Sequence, residues 1–247
     1  MSTRTPIIIP VITVDGPSGC GKGTLSVFLA KQLGWHLLDS GALYRALSLA
    51  AKSHSVELDN YSALEVLGTY LDIRFEFDET SHKIHAVLEG QDVTQELRTE
   101  SCGSDASKIA AIPGVRKALF ERQRAFLELP GLIADGRDMG TVIFPEAQLK
   151  IFLEADPAIR AKRRFNQLQE MGVNANLDDL FLEISQRDRR DRERLVSPLV
   201  PAEGAIIIDS SNLTIDEVVS QGMLLVSRVF PDLMANLKTK SGWLERI

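Results

Sequence analysis

Gly16-Pro17-Ser18-Gly19-Cys20-Gly21-Lys22-Gly23-Thr24 is the stretch that decides the fold of this chain. The apolar run Val11-Ile12-Thr13-Val14 precedes it, and apolar residues at helical spacing follow it at Leu25, Phe28, Leu29 and Leu33. A strand, a glycine-rich loop and a helix in this order indicate a P-loop. Its glycines let backbone amides surround phosphate oxygens, and the N-terminus of the helix adds positive potential. We therefore predict that this loop binds a nucleoside triphosphate and that Lys22 reaches the outer phosphates.

The position after the loop lysine departs from the common pattern. Many P-loop proteins have a Ser or Thr there, and its hydroxyl holds magnesium. In this chain the position is Gly23, and Thr24 comes one place later. We therefore expect Mg2+ to be held largely by the phosphates of the bound nucleotide and by water, and we assign no side chain as a direct metal ligand.

Composition bounds the class of protein. A chain of 247 residues with 44% apolar residues can bury a full core, and we predict one domain over residues 1–247. The formal net charge of -6 argues against a general nucleic-acid binder or a binder of anionic membranes, and no stretch is long enough to span a bilayer. The two cysteines are too few for a disulfide scaffold, so we expect a reduced, cytoplasmic setting.

Short apolar runs alternate with helical patterns along most of the chain. Besides the strand before the P-loop, they predict strands at residues 35–38, 132–135, 149–153 and 205–209. Between Leu71 and Leu88 the apolar period changes to two, which indicates a β-hairpin with its turn at residues 78–82 and a further turn at Gly90-Gln91-Asp92. Helical patterns return at residues 105–111 and from Pro113 to Phe126. We predict an α/β fold with a mainly parallel central sheet flanked by helices, into which the hairpin is inserted.

Polar and charged residues follow several of these strands. Ser40 and Arg45 come after the strand at 35–38, at the start of a helix, where ligands bind in open α/β sheets. Ser40 could equally be only a helix N-cap, and Arg45 only a solvated charge. Asp135 ends the next predicted strand, which would place it near the phosphates and magnesium, and Arg137 and Asp138 follow it.

Arginines from separate segments indicate the kind of reaction. Arg187, Asp191 and Arg194 recur at i, i+4 and i+7, on one side of a predicted helix. Transfer of a γ-phosphoryl group onto a second phosphate brings negative charges together, and a supplied arginine can raise its rate by about 10³ to 10⁵. We therefore expect Arg45, Arg137, Arg187 and Arg194 to serve an acceptor that is itself a phosphate. A GTPase would be expected to carry an Asn-Lys-x-Asp segment, and no asparagine here is followed by lysine.

From about Ile7 to Phe230 the chain resembles the bacterial cytidylate kinases. The blocks that carry the resemblance are the loop preceded by Asp15, Leu38-Asp39-Ser40-Gly41-Ala42-Leu43-Tyr44-Arg45, Asp135-Gly136-Arg137-Asp138-Met139-Gly140-Thr141 and Arg187-Asp188-Arg189-Arg190-Asp191-Arg192. The last three are more specific than the loop. The resemblance implies the P-loop nucleoside monophosphate kinase fold, with a β-rich monophosphate-binding insert at residues 64–104 and a helical lid with a basic helix at residues 157–192. It assigns no role to residues 231–247.

The resemblance also implies roles for single residues. It places Ser107, Arg116 and Asp138 at the cytosine, Arg187 and Asp191 at the ribose, and Ser40, Arg45, Arg137 and Arg194 at the acceptor phosphate. Lys22, Arg137, Arg187 and Arg194 would be catalytic. The basic stretch between Arg160 and Arg164 would belong to the lid that closes over ATP.

The acid at Asp138 agrees with a preference for cytosine. A carboxylate accepts hydrogens from the amino group of cytosine, whereas uracil would set a carbonyl oxygen against it. We expect a monomer that phosphorylates CMP and dCMP well and UMP poorly. A uridylate or adenylate kinase is the nearest alternative, and a regulatory module that binds nucleotides without catalysis is a second.

Overall fold

The strands and helices follow the alternation that the sequence indicates. The computed structural model describes residues 8–78 and 83–233. The strands are, in chain order, β1 (Val11–Asp15), β2 (His36–Asp39), β3 (Ile73–Asp78), β4 (Lys83–Leu88), β5 (Gln91–Asp92), β6 (Leu132–Gly136), β7 (Leu149–Glu154) and β8 (Ile206–Asp209). The helices are α1 (Lys22–Leu33), α2 (Ser40–Ser53), α3 (Tyr61–Thr69), α4 (Glu100–Ile109), α5 (Pro113–Arg124), α6 (Pro157–Glu170), α7 (Leu177–Glu193) and α8 (Ile215–Val229). A 3-10 turn covers Glu96–Arg98, and a π-helical turn covers Met139–Ile143.

These elements group into two compact units. Within the described residues, the first unit comprises residues 8–38, 126–184 and 199–233, and the second comprises residues 39–78, 83–125 and 185–198. Helix α7 contributes residues to both units. The single domain over residues 1–247, the insert at 64–104 and the lid at 157–192 stay predictions.

The first unit contains a five-stranded sheet in the order β2-β6-β1-β7-β8. Strand β1 pairs in parallel with β6 and with β7, and β7 pairs in parallel with β8. Both β1 and β6 are buried along their whole length, as expected for strands covered on both faces. Val14 lies opposite Asp135, so the loops after β1 and β6 leave the same edge of the sheet.

Helix α1 joins the P-loop to the core of the first unit. It begins after Gly21, and Gly34 ends it in the left-handed conformation with φ of 63°. Leu25 and Leu29 are buried in a cluster with Ile12 of β1. Helix α8 packs against α1 so closely that a Cβ at Gly222 would lie 2.6 Å from Leu25 Cδ1.

The second unit combines helices with the inserted hairpin. Strands β3, β4 and β5 form an antiparallel sheet in that order. Side-chain caps begin several of its helices: Asp39 accepts from the Ala42 N–H at α2, Asn60 from Ala63 at α3, and Thr99 from Cys102 at α4. Pro113 stands in the first turn of α5, where its missing N–H costs nothing.

The mainly parallel sheet flanked by helices is confirmed, and several local expectations need correction. The predicted turn at Gly90-Gln91-Asp92 is only partly a turn, because Gln91 and Asp92 form β5 beside β4. Helix α4 begins at Glu100 rather than near Asp105, because Thr99 caps it. Helix α3 was not expected from the sequence. Residues 79–82 of the predicted hairpin turn, and residues 234–247 of the C-terminal segment, lie outside the described residues.

Candidate active site

The P-loop has the backbone that its glycines predict. Gly16, Gly19 and Gly21 have φ values of 147°, 77° and 99°. L-residues rarely adopt these values. A Cβ at Gly16 would also overlap the carbonyl oxygen of Leu153 in β7. The loop is therefore pressed against the sheet at a position where only glycine fits.

Lys22 is buried within this loop. Its Nζ donates to the carbonyl of Pro17 at 2.7 Å, and the Cys20 thiol donates to the same carbonyl at 3.1 Å. The ammonium is thereby held inside the loop whose amides would surround phosphate oxygens. A buried ammonium in this position can follow a phosphoryl group electrostatically without a large conformational search.

Arg160 lies against the P-loop rather than on an exposed helix face. It is 1% exposed, its Nε donates to the Ala155 carbonyl at 2.9 Å, and its Nη1 donates to the Ser18 carbonyl at 3.0 Å. A Cβ at Gly19 would lie 3.4 Å from Arg160 Cβ. In this structure Arg160 supports the backbone of the loop. Arg164, one turn further along α6, is half-buried and donates to Gln167 Oε1 at 3.5 Å.

Three aspartates lie at the carboxyl ends of β1 and β6, and all are buried: Asp15, Asp135 and Asp138. Asp15 accepts backbone N–H groups from Met139 and Gly140, each at 2.8 Å. Burial raises the pKa of Asp15 to about 6. The Asp138 carboxylate adds to the rise, while the Gly140 and Met139 N–H groups and the Lys22 ammonium oppose it.

The residues after β6 carry two of the predicted ligands. Arg137 is half-buried and donates from Nη1 to the Gly136 carbonyl at 3.1 Å. Asp138 immediately precedes the π-helical turn. The Asp135 Oδ2 atom lies 3.7 Å from the point that a Cβ at Gly23 would occupy. The first unit thus groups the P-loop, Lys22, Arg160 and these three carboxylates.

In the second unit, Ser40 and Arg45 occupy α2. The alternative that Ser40 is the N-cap is wrong, because Asp39 caps the helix. Ser40 is buried, and its hydroxyl donates to Gln123 Oε1 at 2.6 Å. Arg45 donates from Nη1 to the carbonyls of Leu97 and Thr99 at 2.6 and 3.1 Å.

A polar cluster joins α4, α5 and the end of α7. Ser107 donates to Asp191 Oδ1 at 3.3 Å, and both residues are buried. Arg116 donates to Ser197 Oγ at 3.2 Å and lies 5.9 Å from the centre of the Tyr44 ring. Arg194 donates to the Ser197 carbonyl. The structure therefore brings Ser107 and Asp191 together, and it links Arg116 to Arg194 through one serine.

The four arginines expected around the acceptor are divided between the units. Arg137 belongs to the first unit, and Arg45, Arg187 and Arg194 belong to the second. Arg187 lies on α7, half-buried, next to the buried Asp188. No role was predicted from the sequence for Asp15, Gln123 or Ser197. Only Asp15 had a visible signal, as an acid that ends an apolar strand.

Comparison with known proteins decides the family. The family model described as cytidylate kinase matches residues 12–228. The chain belongs to the cytidylate kinase family. Its relatives in this family include the cytidylate kinase of Aeromonas salmonicida, 54% identical over 94% of this chain and 100% of the relative. That of Sodalis glossinidius is 58% identical over 88% and 95%, and that of Shewanella loihica is 53% identical over 95% and 100%.

Among solved structures, a gluconokinase from Sinorhizobium meliloti is similar over 92% of this chain and 97% of its own, with 14% identity and a TM-score of 0.44. Family membership rests on the sequence relatives. In the described part of the chain, no helix is long and apolar enough to cross a membrane. Residues 8–78 and 83–233 also contain no group of three or more His, Cys, Asp and Glu side chains placed to hold a metal ion.

Proposed function

We propose that this protein transfers the γ-phosphoryl group of ATP to CMP or dCMP, giving ADP and CDP or dCDP. The observation that carries the proposal is the identity of 52 to 58% with cytidylate kinases over most of the chain. The buried lysine inside a P-loop supports it, because this arrangement is suited to phosphoryl transfer.

The first unit supplies groups suited to the donor. Backbone amides of residues 16–24 bind the phosphates of ATP, and Lys22 follows the transferred group. Arg160 keeps the loop backbone in place through Ser18, and Arg164 binds ATP. No covalent intermediate is needed, because positioning and charge stabilisation supply most of the rate enhancement in phosphoryl transfer.

Magnesium fits the residues present beside the loop. Gly23 offers no hydroxyl, and Asp135 presents carboxylate oxygen, the donor type that Mg2+ prefers, next to Gly23. Asp135 would hold the hydrated ion through water, and the phosphates of ATP would provide direct ligands. When bound, the ion neutralises charge on the transferring phosphate.

We assign the acceptor to the arginines and polar residues that the sequence singles out. Arg137, Arg187 and Arg194 offset charge on the two phosphates, and Ser40 and Arg45 bind the phosphate of CMP. The contact between Ser107 and Asp191 supports a nucleoside role for both, since hydroxyl and carboxylate groups suit ribose and base edges. Arg187 is a further ribose ligand.

Base choice is assigned to Ser107, Arg116 and Asp138. The carboxylate of Asp138 accepts from the amino group of cytosine, while Arg116 donates to a ring acceptor. Uracil places a carbonyl where the amino group would be. A mismatch of buried polar groups discriminates by as much as about 10⁴ to 10⁵.

We also propose a monomeric cytoplasmic enzyme in which residues 64–104 bind the monophosphate and residues 157–192 form a lid. Both cysteines are buried and form no disulfide, which agrees with a reducing compartment. Closure of a lid would keep water from accepting the phosphoryl group.

An acceptor screen tests this function. ADP release is measured by a coupled assay with MgATP and, separately, CMP, dCMP, UMP and AMP. We expect high kcat/KM with CMP and dCMP and much lower values with UMP and AMP. Equal rates with UMP or AMP would favour another nucleoside monophosphate kinase. Binding of ATP and CMP without formation of CDP would indicate a non-catalytic module.

A further inference from the structure

Asp15 forms a double link between β1 and the turn that follows β6. Its Oδ1 accepts the N–H of Met139 and its Oδ2 accepts the N–H of Gly140, each at 2.8 Å. The side chain is 3% exposed. Asp15 is the last residue of β1 and directly precedes Gly16, the first residue of the P-loop. The Asp15 carboxylate therefore connects the start of the P-loop to the backbone just after Asp138.

The turn is packed tightly at this link. A Cβ at Gly140 would lie 2.9 Å from Thr13 Oγ1, 3.2 Å from Ala202 Cβ and 3.3 Å from Asp15 Oδ2. The turn thus lies directly on β1, with no room for a side chain at Gly140. Two charge-assisted hydrogen bonds at adjacent amides fix both the distance and the rotation of this backbone.

We propose that Asp15 is a positioning residue that holds the Met139-Gly140 backbone, and through it Asp138 and Arg137, in register with the phosphate-binding loop. The inference rests on the proposed function, in which Asp138 and Arg137 bind CMP. Asp15 itself contacts the turn. By holding this turn, Asp15 keeps the Asp138 carboxylate, which binds the base, at a fixed position relative to the bound ATP.

The chemistry of the link explains why the residue is an ionised acid. Two N–H donors need two acceptor oxygens, which a carboxylate supplies and an asparagine does not. An Asn at this position would set its NH2 group against one of the amides. Protonation has a related effect, because one oxygen then carries a hydrogen. Burial contributes most to that protonation, Asp138 beside the turn adds to it and Lys22 in the P-loop opposes it, so the pKa of Asp15 is about 6.

The test compares Asp15→Asn with wild type, using Asp216→Asn as a control. Asp216 is an exposed aspartate on α8 that has no part in the site. We expect Asp15→Asn to lower kcat/KM for CMP by about 10 to 100-fold, as for a small misplacement of a binding group. The variant should also lower the ratio of kcat/KM for CMP to kcat/KM for UMP. Its Kd for ATP should stay within about threefold of the wild-type value, because the P-loop retains its own contacts. Asp216→Asn should match wild type.

A double-mutant cycle with Asp138→Asn shows whether Asp15 acts through Asp138. If it does, the double variant should have nearly the same ratio of kcat/KM for CMP to kcat/KM for UMP as Asp138→Asn alone. If the two residues act independently, their effects on this ratio should be additive. An additive result, or a large loss of ATP affinity with an unchanged ratio, would overturn the inference and place Asp15 on the donor side.

Hydrogen exchange tests the link independently of the reaction. Amides in residues 136–144 should exchange faster in Asp15→Asn than in wild type. If Asp15→Asn does not fold, Asp15→Glu is measured instead: its longer side chain keeps the charge but moves the carboxylate relative to the two amides, so these amides should again exchange faster than in wild type. Unchanged protection would overturn the positioning role. Faster exchange with no effect of Asp138→Asn on base choice would instead contradict the role proposed for Asp138.

Discussion

Asp15 makes the stability of the first unit depend on pH in a direction opposite to that of most aspartates. Its pKa is raised from 3.8 to about 6 by burial, so the folded protein binds this proton more tightly than the unfolded chain does. The contribution of the protonated side chain to stability is complete below pH 3.8 and is lost as the pH rises through about 6. Conversion of the two pKa values gives a total of roughly 3 kcal/mol.

Asp15→Asn removes this titration. The free energy of unfolding of the variant minus that of wild type should therefore rise with pH, by about 2 kcal/mol between pH 4.5 and 7. The absolute difference at one pH also contains the loss of an acceptor for one amide, about 1 to 3 kcal/mol, which does not depend on pH. The slope is consequently the diagnostic quantity.

Urea unfolding followed by the fluorescence of Trp35 measures this difference. Trp35 is buried in the core of the first unit against Phe230, and Trp243→Phe can serve as the background because the chain has 2 tryptophans. Asp209→Asn is the control. Hydrogen bonds from Ser211 lower the pKa of the exposed Asp209, so its difference should be nearly flat above pH 4.5. A flat or falling difference for Asp15→Asn would refute the reasoning.

Three further predictions concern the two substrates. Lys22→Ala should remain folded, as checked by circular dichroism, and its kcat in turnover assays should fall at least about 10²-fold, the scale for removing one transition-state donor. A variant with wild-type activity would contradict the role of Lys22. Asp138→Ala should lower kcat/KM for CMP and narrow its gap to UMP, because both an attractive and a repulsive contact disappear; an unchanged ratio in steady-state kinetics would count against base reading. Arg160→Met leaves the carbonyls of Ser18 and Ala155 without this donor, so it should raise the KM for ATP several-fold and leave that for CMP within about twofold. A raised KM for CMP with an unchanged KM for ATP would contradict this role of Arg160.

The sequence predicts the first unit well because its signals are local. Apolar runs predict β1 and β6. The P-loop has glycine at positions with positive φ, where other residues would be strained. Asp135 falls at the carboxyl end of β6 beside β1, as parallel pairing requires. These features depend on short-range pattern and on the geometry common to parallel sheets.

Contacts between distant segments could not be predicted in this way. The sequence left Ser40 as either a helix cap or a ligand, and the structure excludes only the cap, because Asp39 caps the helix. The hydrogen bond from Ser40 to Gln123, 83 positions away, could not be predicted. Arg160 occurs in a basic stretch that is typical of a solvated helix, yet it is buried under Ser18, 142 positions away. The link from Asp15 to Met139 spans 124 positions. Periodicity and motif spacing carry no information on such pairs.

A crystal structure with CMP and ADP bound tests the central claim most directly. We expect the amino group of cytosine to donate to the Asp138 carboxylate and the base to contact Ser107 and Arg116. We also expect the P-loop amides to surround the phosphates of ADP. Cytosine bound without a contact to Asp138, or CMP phosphate seated in the P-loop itself, would contradict it.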